Sequence, residues 1–126
     1  MPMTDAARNV VADLIIGAGN PYNSTGAYIG VGDSTTAFAV TQTDLQGANK
    51  HREAMKGGFP TRTTNTISFE SRFLEADAVY TWNEVGLFND ASSGTMLTRI
   101  LSSQGLKPND EIWDYEIQLT ILHGSE

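Results

Sequence analysis

From Val79 to Phe88 the chain is apolar on both sets of alternating positions, yet a glutamate stands in the middle of it. Val79, Val85 and Leu87 fall on one face, and Tyr80, Trp82 and Phe88 on the other, which is the pattern of a strand covered on both sides. A polar cluster, Asn89 to Gly94, separates this run from a second one, Thr95 to Leu101. Two such runs joined by a short, Gly-containing loop spell a β-hairpin. Inside it Glu84 needs an explanation, because an ionised carboxylate in a covered strand is costly unless it is paired. Arg99 is the first candidate partner, since the hairpin folds it back toward Glu84, and Arg52 is the second. The functional alternative is a carboxylate whose raised pKa suits acid or base work. No second catalytic group accompanies it, so the structural pair is the expectation. Trp82 and Phe88, with Trp113 and Tyr115 further on, are expected to anchor the core or an interface.

Whatever covers the hairpin must come from the rest of the chain or from a neighbouring molecule. Residues 4–16 read as an amphipathic helix, with Ala7, Val10, Val11, Leu14 and Ile15 on one stripe, Thr4 as N-cap and Gly17 closing the end. The glycine-rich Gly17–Gly26 follows a helix instead of preceding one, and Pro21 and Tyr22 break the G-x-G-x-x-G spacing, so it is a connecting loop. Ala27–Val31 is a short strand. Residues 32–62 are rich in Thr, Gln, Asp and Gly, and predict an irregular excursion of a length that compact domains keep only for function or anchorage. Thr66–Leu74 alternates, with Ile67, Phe69 and Phe73 inward. The cleanest alternation is the last, Trp113, Tyr115, Ile117, Leu119 and Ile121 against Asp114, Glu116, Gln118 and Thr120. One N-terminal helix packed on antiparallel strands between 66 and 122 gives a mainly β (α+β), sandwich-like single domain spanning 1–126.

The 126 residues carry a formal charge of −7 and no cysteine. Disulfides, thiolate metal sites and cysteine nucleophiles are therefore excluded. The nearest approach to a basic stripe, Lys50, His51, Arg52, Lys56 and Arg62, is diluted by Glu53, so nucleic-acid binding is not expected. No basic segment followed by an apolar core opens the chain and no apolar run is long enough to span a bilayer, which predicts a soluble protein made in a cytoplasm, without membrane contact. His51 and His123 lack metal-ligand spacing, and no nucleophile elbow is present; no cofactor, metal or catalytic residue is expected. Asp33, Asp44 and Glu84 form a separated carboxylate set of the kind glycosidases use, but Asp33 and Asp44 read better as turn caps. A small carbohydrate-binding sandwich, using Tyr22 and Phe59 as exposed aromatics, is the remaining binding-module reading.

Three segments carry a family resemblance: Tyr28-Ile29-Gly30-Val31-Gly32-Asp33-Ser34-Thr35-Thr36-Ala37, then Gln42-Thr43-Asp44-Leu45-Gln46-Gly47, then Trp82-Asn83-Glu84-Val85-Gly86-Leu87-Phe88-Asn89 with Gly94-Thr95-Met96-Leu97-Thr98-Arg99. In order and spacing the chain resembles small virion proteins of tailed bacteriophages, and more distantly the amino-terminal domain of tail-collar fibre proteins. The resemblance implies a non-enzymatic virion part, assembled in the host cytoplasm in several copies, as a trimer or ring, beside other virion proteins. No fibre shaft follows the domain here, which turns the expectation from a receptor-binding fibre to a tail, baseplate or fibre-attachment component, with a capsid decoration protein as the alternative.

Overall fold

The computed structural model describes residues 2–122, so His123 lies outside the described residues. Its elements run α1 (Asp5–Ile15), β1 (Tyr28–Gly32), β2 (Lys50–Ala54), β3 (Thr61–Thr63), β4 (Thr66–Phe73), β5 (Thr81–Phe88), β6 (Met96–Leu106) and β7 (Trp113–Thr120). One sheet has the order β2-β1-β5-β6 and the other β3-β4-β7, with every pairing antiparallel. Ile29, Val31, Val85 and Leu87 from the first sheet and Phe69, Phe73 and Ile117 from the second make one buried core. The fold is thus a mostly antiparallel, sandwich-like α+β domain.

Thr4 caps α1, its hydroxyl oxygen accepting from the Ala7 amide at 3.0 Å while the hydroxyl donates to the Met96 carbonyl at 2.7 Å. One side chain therefore satisfies an orphan helix donor and fixes the helix entry to β6. Ala7 is fully buried and Val11 packs on the core, but Ile15, the last member of the predicted stripe, is 80% exposed. The helix packs chiefly on β6 and its final turn overhangs that support.

Four expectations need correction. Within residues 32–62, read as irregular, Thr61 and Arg62 already belong to a strand paired with β4, and Lys50–Ala54 forms an edge strand paired with β1. Its sequence, KHREA, has no apolar alternation to betray it; the Arg52 guanidinium supplies the cover, lying 3.6 Å over the Phe88 ring. The second correction concerns Trp82, assigned from its parity to the same face as Phe88. The register of β5 against β6 shifts between Trp82 and Glu84. Trp82 thereby packs edge-on against Phe73 and Trp113, in the core with Val85 and Leu87, while Phe88 joins Leu45 and Met96 in a separate cluster. Val79, placed with Val85 and Leu87 from its parity, precedes β5 and is largely exposed. β6 also runs past Leu101 to Leu106, because Leu106 and Gly105 pair with Thr81 and Trp82.

Candidate functional site

The face of the first sheet that turns away from the core carries no side chain at its centre. Arg52, Gly30, Gly86 and Arg99 are successive cross-strand partners over all four strands, so two glycines occupy the middle of that row. A Cβ on Gly30 would lie 2.7 Å from the Phe88 ring and 3.2 Å from Leu45, and one on Gly86 would lie 3.2 Å from Leu45. Glycine inside a strand marks such a close approach. The loop joining β1 to β2, residues 33–49, lies in this space, with Leu45 as its single fully buried side chain.

Glu84 holds the loop down. Its Oε1 accepts from Arg99 Nε at 2.7 Å and from the Gln46 amide at 2.8 Å; its Oε2 accepts from the Gly47 amide at 2.8 Å and the Ser34 amide at 3.1 Å. Both Glu84 and Arg99 are 0% exposed. Arg99 continues outward, its Nη1 donating to the Thr36 carbonyl at 2.8 Å and the Gln42 side chain at 3.3 Å, while its Nη2 has no acceptor among the described residues. The carboxylate is therefore enclosed, ion-paired and saturated by three backbone donors. This is an anchor for backbone, with no path for a substrate to its oxygens.

Arg52, the second partner proposed for Glu84, is engaged elsewhere: its Nη1 donates to the carbonyls of Asp90 and Ser93 at 2.9 and 2.8 Å, and its Nη2 lies 3.5 Å from Asp44. It ties β2 to the turn of the β5–β6 hairpin. Asp33 accepts from the Asn49 amide and side chain, and Asn49 holds its carboxyl below the ordinary range. Asp44 accepts from the Leu45 amide and from Lys50 Nζ at 2.7 Å; partial burial pushes its carboxyl up, but these contacts win and hold it low. Asp33, Asp44 and Glu84 are thus bound to three different sets of partners; Asp33 and Glu84 flank Gly47 from two sides, while Asp44 stands apart with Lys50 and Arg52.

Other residues singled out from the sequence also find their places. Trp113 and Tyr115 are half-buried beside Trp82 on the inner face of β7. Tyr22 and Phe59 are half-buried too, and the Tyr22 hydroxyl donates to the Thr95 carbonyl at 2.9 Å. Of the basic stretch, Lys50 meets Asp44, Lys56 bridges Glu70 and Asp114, and Arg62 donates to the Thr64 carbonyl. Lys107 was not legible as a core residue: it is fully buried, and its Nζ donates to the carbonyls of Leu74 and Glu75 at 2.8 and 3.2 Å, closing the turn between β4 and β5. A lysine preceding Pro-Asn-Asp reads as a solvated turn. No helix among the described residues is long and apolar enough to cross a membrane. No protein-family model and no curated protein matches the sequence.

Proposed function

We propose that this chain is a non-enzymatic structural protein of a tailed-bacteriophage virion, assembled in the host cytoplasm as a multi-copy tail, baseplate or fibre-attachment component. The observation that carries the reading is the free edge of β7. This eight-residue strand ends its sheet, and Ile112, Ile121 and Leu122 beside it are exposed, Ile121 by 63% and Leu122 by 77%. Proteins that work as monomers blunt such an edge with lysine, proline or a bulge. Between Trp113 and Thr120 there is neither lysine nor proline, Asp114 is occupied by Arg72 at 2.9 Å and Lys56 at 3.2 Å, and Glu116 is the one charge left toward solvent. Pairing of that edge with another copy, or with a neighbouring virion protein, satisfies the open backbone groups and covers the apolar fringe.

The enclosure of Glu84, and the engagement of Asp33 by Asn49 and of Asp44 by Lys50, support a role without catalysis. The family resemblance of the Tyr28–Ala37, Gln42–Gly47 and Trp82–Arg99 segments supports the virion. Sedimentation of the purified chain tests the assembly, and gold-labelled antibody on phage particles tests the place. A trimer or ring, with label at the tail, is the expected result; label on the shell would make it a capsid decoration protein instead. A stable monomer with no affinity for any virion component overturns the proposal.

A further inference from the structure

At the β2 edge of the first sheet, three side chains with metal-ligand chemistry converge from two distant parts of the chain. His51 and Glu53 project from β2 on the same face, their cross-strand partners being Val31 and Ile29. Asp77 reaches them from the turn after β4. His51 Nε2 lies 2.7 Å from Glu53 Oε1, and one ligand atom from each of the three residues lies within 4.8 Å of the others. All three are half-buried.

The cluster is held by its surroundings. The His51 ring packs edge-on to Phe73 with centroids 6.1 Å apart. Asp77 Oδ2 accepts from the Leu74 amide at 3.1 Å, and buried Lys107 fastens that same turn through the Leu74 and Glu75 carbonyls. Asp77 is thus delivered by a braced turn. Two carboxylates brought together away from bulk water repel each other, and among the described residues no lysine or arginine pairs with either.

We propose that His51, Glu53 and Asp77 bind a divalent first-row transition cation, which ties edge strand β2 to the β4–β5 turn. One imidazole nitrogen and two carboxylate oxygens form a mixed N/O donor set that suits zinc and its neighbours. Tetrahedral bonds of about 2.0–2.2 Å place ligand atoms about 3.3–3.6 Å apart, a spacing that small side-chain rotations reach from the present one. The fourth position belongs to water. Calcium and magnesium need six or more oxygens and fit this trio poorly. The proposal stands apart from the virion reading and from the Glu84 anchor.

Calorimetric titration and thermal melts of the chelator-treated full chain with zinc chloride test it, with calcium chloride as the comparison. One zinc per chain, a Tm raised by several degrees, and at least a tenfold weaker response to calcium are expected. Asp77→Asn and His51→Ala should each weaken zinc binding by tenfold or more. Without metal, Asp77→Asn should melt at or above the wild-type temperature, because it relieves the carboxylate repulsion while its side-chain oxygen can still accept from Leu74. A wild-type Tm and heat signal indifferent to zinc, zinc binding undiminished in Asp77→Asn, or calcium binding as tight as zinc would each overturn the proposal.

Discussion

Replacing Glu84 by alanine removes the acceptor of four hydrogen bonds at once: those from Arg99 and from the amides of Ser34, Gln46 and Gly47. If the loop stayed in place, Arg99 would be a buried charge without its partner, at about 3–5 kcal/mol. Three stranded amides would add about 1–3 kcal/mol each. That sum rivals the whole stability of a small domain, about 5–15 kcal/mol. The cheaper route is for loop 33–49 to lift, letting water reach Arg99 and the amides. Lifting forfeits the burial of Leu45, about 1.5–3 kcal/mol, together with part of the cover over Phe88 and Met96. The expected loss is therefore about 3 kcal/mol, concentrated in the loop. Glu84→Gln should fare little better, since its amide group would face donors with donors. Glu84→Leu combined with Arg99→Met removes the orphaned charge but not the orphaned amides, and should recover only part of the loss, leaving about 2 kcal/mol. Urea unfolding followed by tryptophan fluorescence gives the global number. Hydrogen exchange at Ser34, Gln46 and Gly47 gives the local one, and protection there should collapse before protection in β4 or β7. A Glu84→Ala protein within about 1 kcal/mol of wild type, with those amides still protected, would refute the account of the anchor.

Three further outcomes follow from the same geometry. Gly30→Ala forces a Cβ to within 2.7 Å of the Phe88 ring, and overpacking of this kind should cost about 1–3 kcal/mol in a thermal or urea melt. Lys107→Met strands the Leu74 and Glu75 carbonyls and should destabilise by about 1–3 kcal/mol, with fraying of the β4–β5 turn visible by hydrogen exchange. Asn49 holds the Asp33 carboxyl below its ordinary value of 3.8, so Asp33 adds stability above that value and loses it as pH falls through the lower folded one. Asp33→Asn should accordingly flatten the decline in urea midpoint below pH 3.8, and leave the slope above about pH 5 unchanged.

Much of the frame is legible in the residues because it rests on local rules. The stripe from Ala7 to Leu14 and the Thr4 cap define α1. The alternations in Thr66–Phe73 and Trp113–Thr120 define strands that then pair with each other, Phe69 opposite Ile117. β2 escapes because its covering group is the stem and guanidinium of Arg52, which polarity alone scores as surface. The change of face at Trp82 escapes because alternation presumes an unbroken register, and a pairing irregularity has no signature in residue type. Glu84 announces itself as a carboxylate in an apolar run, but its backbone partners come from a loop whose docking depends on what is absent. Part of the signal was present in Gly30 and Gly86, one glycine inside each of two predicted strands, which mark a face kept clear for close approach. The convergence of Asp77 on His51 and Glu53 was hidden by chain distance, since only the folded turn brings them together.

Loop 33–49 is fastened to Glu84, Arg99 and α1 mainly through peptide groups. The amides of Ser34, Gln46 and Gly47 bond to Glu84, the Thr36 carbonyl accepts from Arg99, and the Val40 carbonyl accepts from the Asp5 amide at 2.8 Å. A segment gripped by its backbone is indifferent to much of its own spelling. Leu45 must fill its gap, and Gly47 must stay bare beside Asp33 and Glu84. Ala37, Ala39, Val40 and Thr41, all exposed, can be rewritten without touching one of those bonds. Diverging chains on this frame can therefore vary what they display at that crest while every fastening beneath it stays the same.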